Sequence, residues 1–141
     1  MLYKRLLFLG IICLLFGCKK DGPITPNPST EISTALTVGT WRISYYLDNG
    51  QDETLNFSGY AFQFSSGNVL TATKNNTVVT GTWNMANDDS GVKLLLNFLT
   101  PPDFESLSDD WKVGPYSTTQ IQLTDTSGGN GTVDYLRFER N

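Results

Sequence analysis

The chain has 141 residues, one domain's worth, of which 39% are hydrophobic and 12% aromatic. Its formal net charge is −4 and its pI about 4.6, which argues against nucleic acid as a partner, because phosphate backbones attract the opposite sign. Histidine is absent and both cysteines fall within the first 18 residues, so the usual general base and the usual metal ligands are missing from everything that follows.

The N-terminus sets a basic start, Met1–Arg5, before an apolar block from Leu6 to Phe16. About eleven apolar residues are too few to cross a bilayer of about 30 Å as a helix, and the plan is that of a secretory signal peptide over 1–17. The segment Leu15-Phe16-Gly17-Cys18 resembles the lipobox of bacterial lipoproteins, with Phe16 bulkier than the small residue usual at its position. The resemblance implies that Cys18 is diacylated, cut free of Gly17 and acylated again on its amine. Loss of Lys4 and Arg5 with the signal would take the net charge from −4 to −6. Cys13 would leave with them and Cys18 would be taken up by lipid. The mature domain would then hold no disulfide, no thiol nucleophile and no thiolate ligand. Without a polybasic cluster, attachment would rest on the acyl chains, each worth roughly 0.8 kcal/mol per buried methylene.

Residues 18–35 are expected to form the lipidated cysteine and a flexible tether. Pro23, Pro26 and Pro28 with Gly22, Ser29 and Thr30 offer little apolar surface to bury. At about 3.3 Å per residue, residues 19–33 would reach up to roughly 50 Å. Glu31–Leu36 is expected to give at most one helical turn. Cys18-Lys19-Lys20-Asp21 also resembles the charged export signals of surface lipoproteins in Bacteroides-like Gram-negative bacteria. The expected location is the outer membrane, on its periplasmic face or at the cell surface.

From Val38 the hydrophobic period is two, with turn residues recurring every eight to twelve positions. Val38–Leu47 sets Trp41, Ile43, Tyr45 and Leu47 on one face against Arg42, Ser44 and Tyr46, and Asp48-Asn49-Gly50 turns it. Tyr60, Phe62 and Phe64 alternate in a second strand. Val69–Lys74 and Thr77–Met85 read as a hairpin about Asn75-Asn76, since asparagine tolerates positive φ. Val92–Phe98 follows, then the long interruption Thr100–Asp110 with a helical turn near Phe104–Leu107. Trp111–Tyr116, Thr119–Thr124 and Thr132–Arg140 complete eight strands, the last two separated by the glycine-rich 125–131. Eight short sequential strands over 36–141 predict an all-β fold, an eight-stranded antiparallel up-and-down barrel, with a two-sheet β-sandwich as the alternative.

Gly39-Thr40-Trp41 on the first strand, together with an arginine in the last, resembles the lipocalins. In that family the tryptophan closes one barrel end and the arginine packs across it. Parity favours Arg140 over Arg137 for that role, because Arg140 alternates with Leu136 and Phe138. The repeated Gly81-Thr82-Trp83 and the terminal Tyr135–Arg140 are similar to the small lipocalin-like lipoproteins of Bacteroides-type bacteria, an uncharacterised family. The domain is shorter than a typical lipocalin.

Alternation points Tyr45, Phe62, Phe64, Trp83, Phe98, Trp111 and Phe138 inward. They either line a cup for a small, mostly apolar ligand or fill the barrel, since eight strands leave room only for side chains or one small ligand. Asp103, Glu105, Asp109, Asp110 and Asp88-Asp89 lack the spacing of a calcium loop and read as a solvated rim in loops. No catalytic residue, metal ligand or cofactor is expected, and no enzyme. Two functions remain open: a membrane-anchored module binding a small apolar ligand, or an accessory lipoprotein with a filled barrel that meets an envelope protein partner through Thr100–Asp110.

Overall fold

The computed structural model describes residues 27–126 and 131–141. The expected signal peptide, Cys18 and tether residues 19–26 lie outside the described residues, as do 127–130 of the last loop.

The first element is a helix, α1, Pro28–Leu36, longer than the single turn expected. Proline at its first position carries no N–H to leave unpaired, and the Asn27 side chain caps the start by accepting the Ser29 N–H at 3.1 Å. Ile32 and Leu36, one turn apart, are buried against the barrel, so residues 28–35 belong to the folded body rather than to a flexible tether.

Nine strands follow: β1 Trp41–Asp48, β2 Gln51–Asp52, β3 Ala61–Phe64, β4 Val69–Lys74, β5 Thr77–Asp88, β6 Gly91–Asn97, β7 Asp109–Tyr116, β8 Gln120–Thr126 and β9 Val133–Arg140. A short 3-10 helix, Thr54–Phe57, precedes β3, and a second helix, α2, Pro102–Glu105, lies between β6 and β7. Apart from β2, which pairs only with the end of β1, each strand is antiparallel to its neighbours in the order β1-β3-β4-β5-β6-β7-β8-β9. β9 then returns to β1 from Trp41↔Arg140 to Leu47↔Tyr135. This closes an eight-stranded barrel and sets the sandwich aside. The seam between β1 and β3 is thin, a single Cα pairing of Trp41 with Phe62.

Turn chemistry follows the sequence. Asn75 adopts φ 52° in the β4–β5 hairpin, and Gly39 adopts φ 73° before β1, a backbone state that side chains with a Cβ seldom take. The β1 alternation breaks, however. Ile43 pairs with Phe138 but Tyr45 with Arg137, so Ser44 is an extra residue and the strand bulges. Beyond the bulge Tyr46 points inward and is buried, whereas Tyr45 turns out.

Candidate functional site

The barrel has two ends: a near end, where β1 starts and β9 finishes, and a far end, where β1 finishes. Six of the seven expected inward aromatics (Phe62, Phe64, Trp83, Phe98, Trp111 and Phe138) are buried. Tyr45 is the correction: the bulge puts it on the outer wall, and Tyr46 takes the inward place. The buried rings meet edge to face. Phe62 and Phe64 lie 5.4 and 5.5 Å from Phe138, and Phe64 lies 5.4 Å from Trp83. Such pairs prefer this T-shaped geometry, and here it leaves the rings packed on one another.

Both ends are covered. At the near end Trp41 donates its indole N–H to the carbonyl of Leu36 at 2.9 Å, and Arg140 donates Nη2 to the carbonyl of Ala35 at 2.8 Å. These carbonyls belong to the last turn of α1, where a helix has no further N–H donors of its own to offer them. The Arg140 guanidinium stands 5.0 Å from the Trp41 ring centroid. Its charge also suits the negative end of the helix dipole. The tryptophan–arginine pair thus does more than span the barrel end: it caps the helix that plugs it.

At the far end Phe104 of α2 contacts four rings, with Tyr60, Phe98 and Phe57 at 5.0, 5.2 and 5.3 Å and Phe62 at 6.0 Å. Trp111 donates its indole N–H to Leu107 at 2.9 Å, and the Tyr46 hydroxyl donates to Ser106 at 2.8 Å. The long interruption is therefore a lid turned inward on Phe104 and Leu107, with Leu99, Asp103 and Glu105 left outside. Sequence reading missed Phe104 as a hub because a single aromatic beside two prolines carries no periodicity.

The expectation that the acids lie in loops is corrected for Asp88, Asp109 and Asp110. Asp48, Asp88, Asp109, Asp110 and Asp125 sit in strands. Lys93 bridges Asp110 at 2.6 Å and Asp88 at 3.2 Å. The Ser90 hydroxyl and N–H, with Lys93, hold the Asp88 carboxyl down at about 2, and the two acids hold Lys93 charged. Burial, then Asp125, pushes the Asp109 carboxyl up, and burial, then Asp134, does the same for Asp48. Oxygens of Asp109, Asp110 and Asp125 lie within 4.8 Å of one another at the far rim. Asp103 and Glu105 stand apart from that group on α2.

No protein-family profile matches the sequence, and no curated protein does. Among solved structures the chain is similar to a DUF4847 family protein from Bacteroides vulgatus, with a TM-score of 0.52 at 18% identity. The match covers 78% of this chain and 97% of that one. At that identity the likeness speaks for the fold alone, a β-barrel shared with a protein of a Bacteroides family.

Proposed function

We propose that this chain is a membrane-anchored envelope lipoprotein, held by lipid on Cys18, whose lipocalin-like barrel is a filled scaffold acting through its surface. The observation that supports this reading over an apolar cup is the closure of both ends. α1 plugs one and the Phe104 lid the other, with the aromatic rings in mutual contact between them. The anchor reading rests on Leu15-Phe16-Gly17-Cys18. An anchored chain reaches the barrel through α1, so the far-end loops would face away from the membrane and toward an envelope partner. The Lys93 amine is held charged by Asp110 and Asp88, unfit as a nucleophile.

Two measurements test this. Cys18→Ser should leave the membrane fraction or stall as precursor and take up no labelled palmitate; equal labelling of the Ser variant would overturn the anchor. Native mass spectrometry of the purified chain should show no stoichiometric apolar small molecule. One retained through purification would restore the cup. Ester, peptide and glycoside substrates should not be turned over.

A further inference from the structure

The outer wall of the barrel carries a groove. Across β1, β9, β8 and β7 a groove of about 110 Å³ opens between Tyr45, Arg137, Tyr135, Gln122 and the Gly114-Pro115 pair. Two irregularities make it. The bulge at Ser44 turns Tyr45 outward, and a register shift in β7 between Val113 and Tyr116 places Gly114 and Pro115 along the other side. Glycine there supplies no side chain to fill the space.

Arg137 is the cation that lines this groove. Arg42 is paired with Glu139, and Arg140 donates to Ala35. Among the described residues no carboxylate pairs with Arg137; its guanidinium lies 5.8 Å from the Tyr45 ring, and its buried Nε has no hydrogen-bond partner. A guanidinium presents a flat fork of donors that fits a carboxylate through two parallel hydrogen bonds. Beside it Tyr135, 43% exposed, offers an aromatic face. Gln122 gives its amide N–H to Gln120 at 3.0 Å, and no donor among the described residues reaches its amide oxygen.

We propose that this groove binds a small ring-bearing carboxylate. The carboxylate docks on Arg137, the ring lies against Tyr135, and the Gln122 oxygen accepts a hydroxyl where the ring carries one. Sugar acids and aromatic acids share this chemistry. The 110 Å³ volume holds one ring and little more.

The test uses the full chain in detergent micelles, with galacturonate and benzoate as the two acids and galactose and benzyl alcohol as their neutral counterparts. Ligand-observed NMR and titration of the arginine Nε–Hε signals should show binding of at least one acid at concentrations up to about 10 mM. The neutral counterpart should bind at least about tenfold more weakly, because the charge-assisted pair is lost. Galacturonate alone would identify a sugar-acid site, benzoate alone an aromatic-acid site, and both the carboxylate and ring together. Arg137→Gln should weaken binding by about tenfold or more, with Arg137→Lys between the two, since lysine keeps the charge but not the fork. Should Arg137→Gln fail to fold, Tyr135→Ala at an exposed position and the wild-type Arg137 signal carry the same test. No binding of either acid, equal binding of the neutral compounds, or undiminished binding by the variants would overturn the proposal.

Discussion

The hydroxyl of Tyr46 donates to the carbonyl of Ser106 at 2.8 Å, fastening the inward face of β1 to the far-end lid. Burial above all pushes the phenol from 10.0 to about 12. A phenol whose folded value is raised favours the protonated folded state. Its contribution is whole below about pH 10 and drains away as pH rises through about 12. We expect wild-type stability to fall over that window by up to about 2 kcal/mol more than that of Tyr46→Phe. Urea titrations at about pH 9, 10, 11 and 12, across the linkage window, compare the two; identical slopes would sink the assignment.

Trp41 and Arg140 form the second testable pair. Trp41→Ala removes a fully buried indole and the donor to Leu36, and should cost about 3–5 kcal/mol. Arg140→Met keeps most of the stem but loses the contact with the ring and the Ala35 hydrogen bond, for about 1–2 kcal/mol. The double variant should destabilise by less than the two losses together, because the residues share one contact. Strict additivity in denaturant melts would show that the pair is not coupled.

Phe104→Ala should open the far end. The ring touches four others, so its loss leaves a cavity and costs about 3–5 kcal/mol. The variant, if folded, should bind a hydrophobic reporter dye that the wild type ignores. Wild-type dye binding of the same strength would contradict a filled interior.

Gly81 is fixed by its neighbours rather than by its dihedrals. A Cβ built there would lie 2.5 Å from the Asn97 carbonyl oxygen and 2.5 Å from the Phe98 ring. Gly81→Ala should therefore destabilise by about 1–3 kcal/mol through overpacking. Thermal unfolding checks it, with Gly67→Ala, which meets nothing within 4 Å, as the control.

Period-two alternation carried most of this fold, because strand side chains must choose between core and solvent. The eight barrel strands, the Asn75 hairpin and the inward places of Phe62, Phe64, Trp83, Phe98, Trp111 and Phe138 are all legible that way. It failed where geometry departs from the period. One extra residue at Ser44 reversed the faces of Tyr45 and Tyr46. A helix at Pro28–Leu36 was hidden by the run of prolines, although Pro28 at its first position favours it, and its two buried residues, Ile32 and Leu36, are too few for a clear stripe. The Arg137 groove could not be read from spacing at all. It depends on two bulges in strands that are far apart in sequence, and a bulge leaves no reliable mark on composition.

The return of β9 to β1 has a consequence in time. A chain emerges from its N-terminus, so α1, Trp41 and the whole of β1 are made almost a hundred residues before their partner strand. Until β9 arrives, β1 has only its thin seam with β3 and the two-residue β2 beside it. Its backbone is an unpaired edge, open to other chains. Arg140, at the end of β9, then completes the strand ladder and the cap on the first helix in one step. A chain without β9 would lose both its closure and the Arg140 cover over Trp41, so the burial of the first element waits on the last strand.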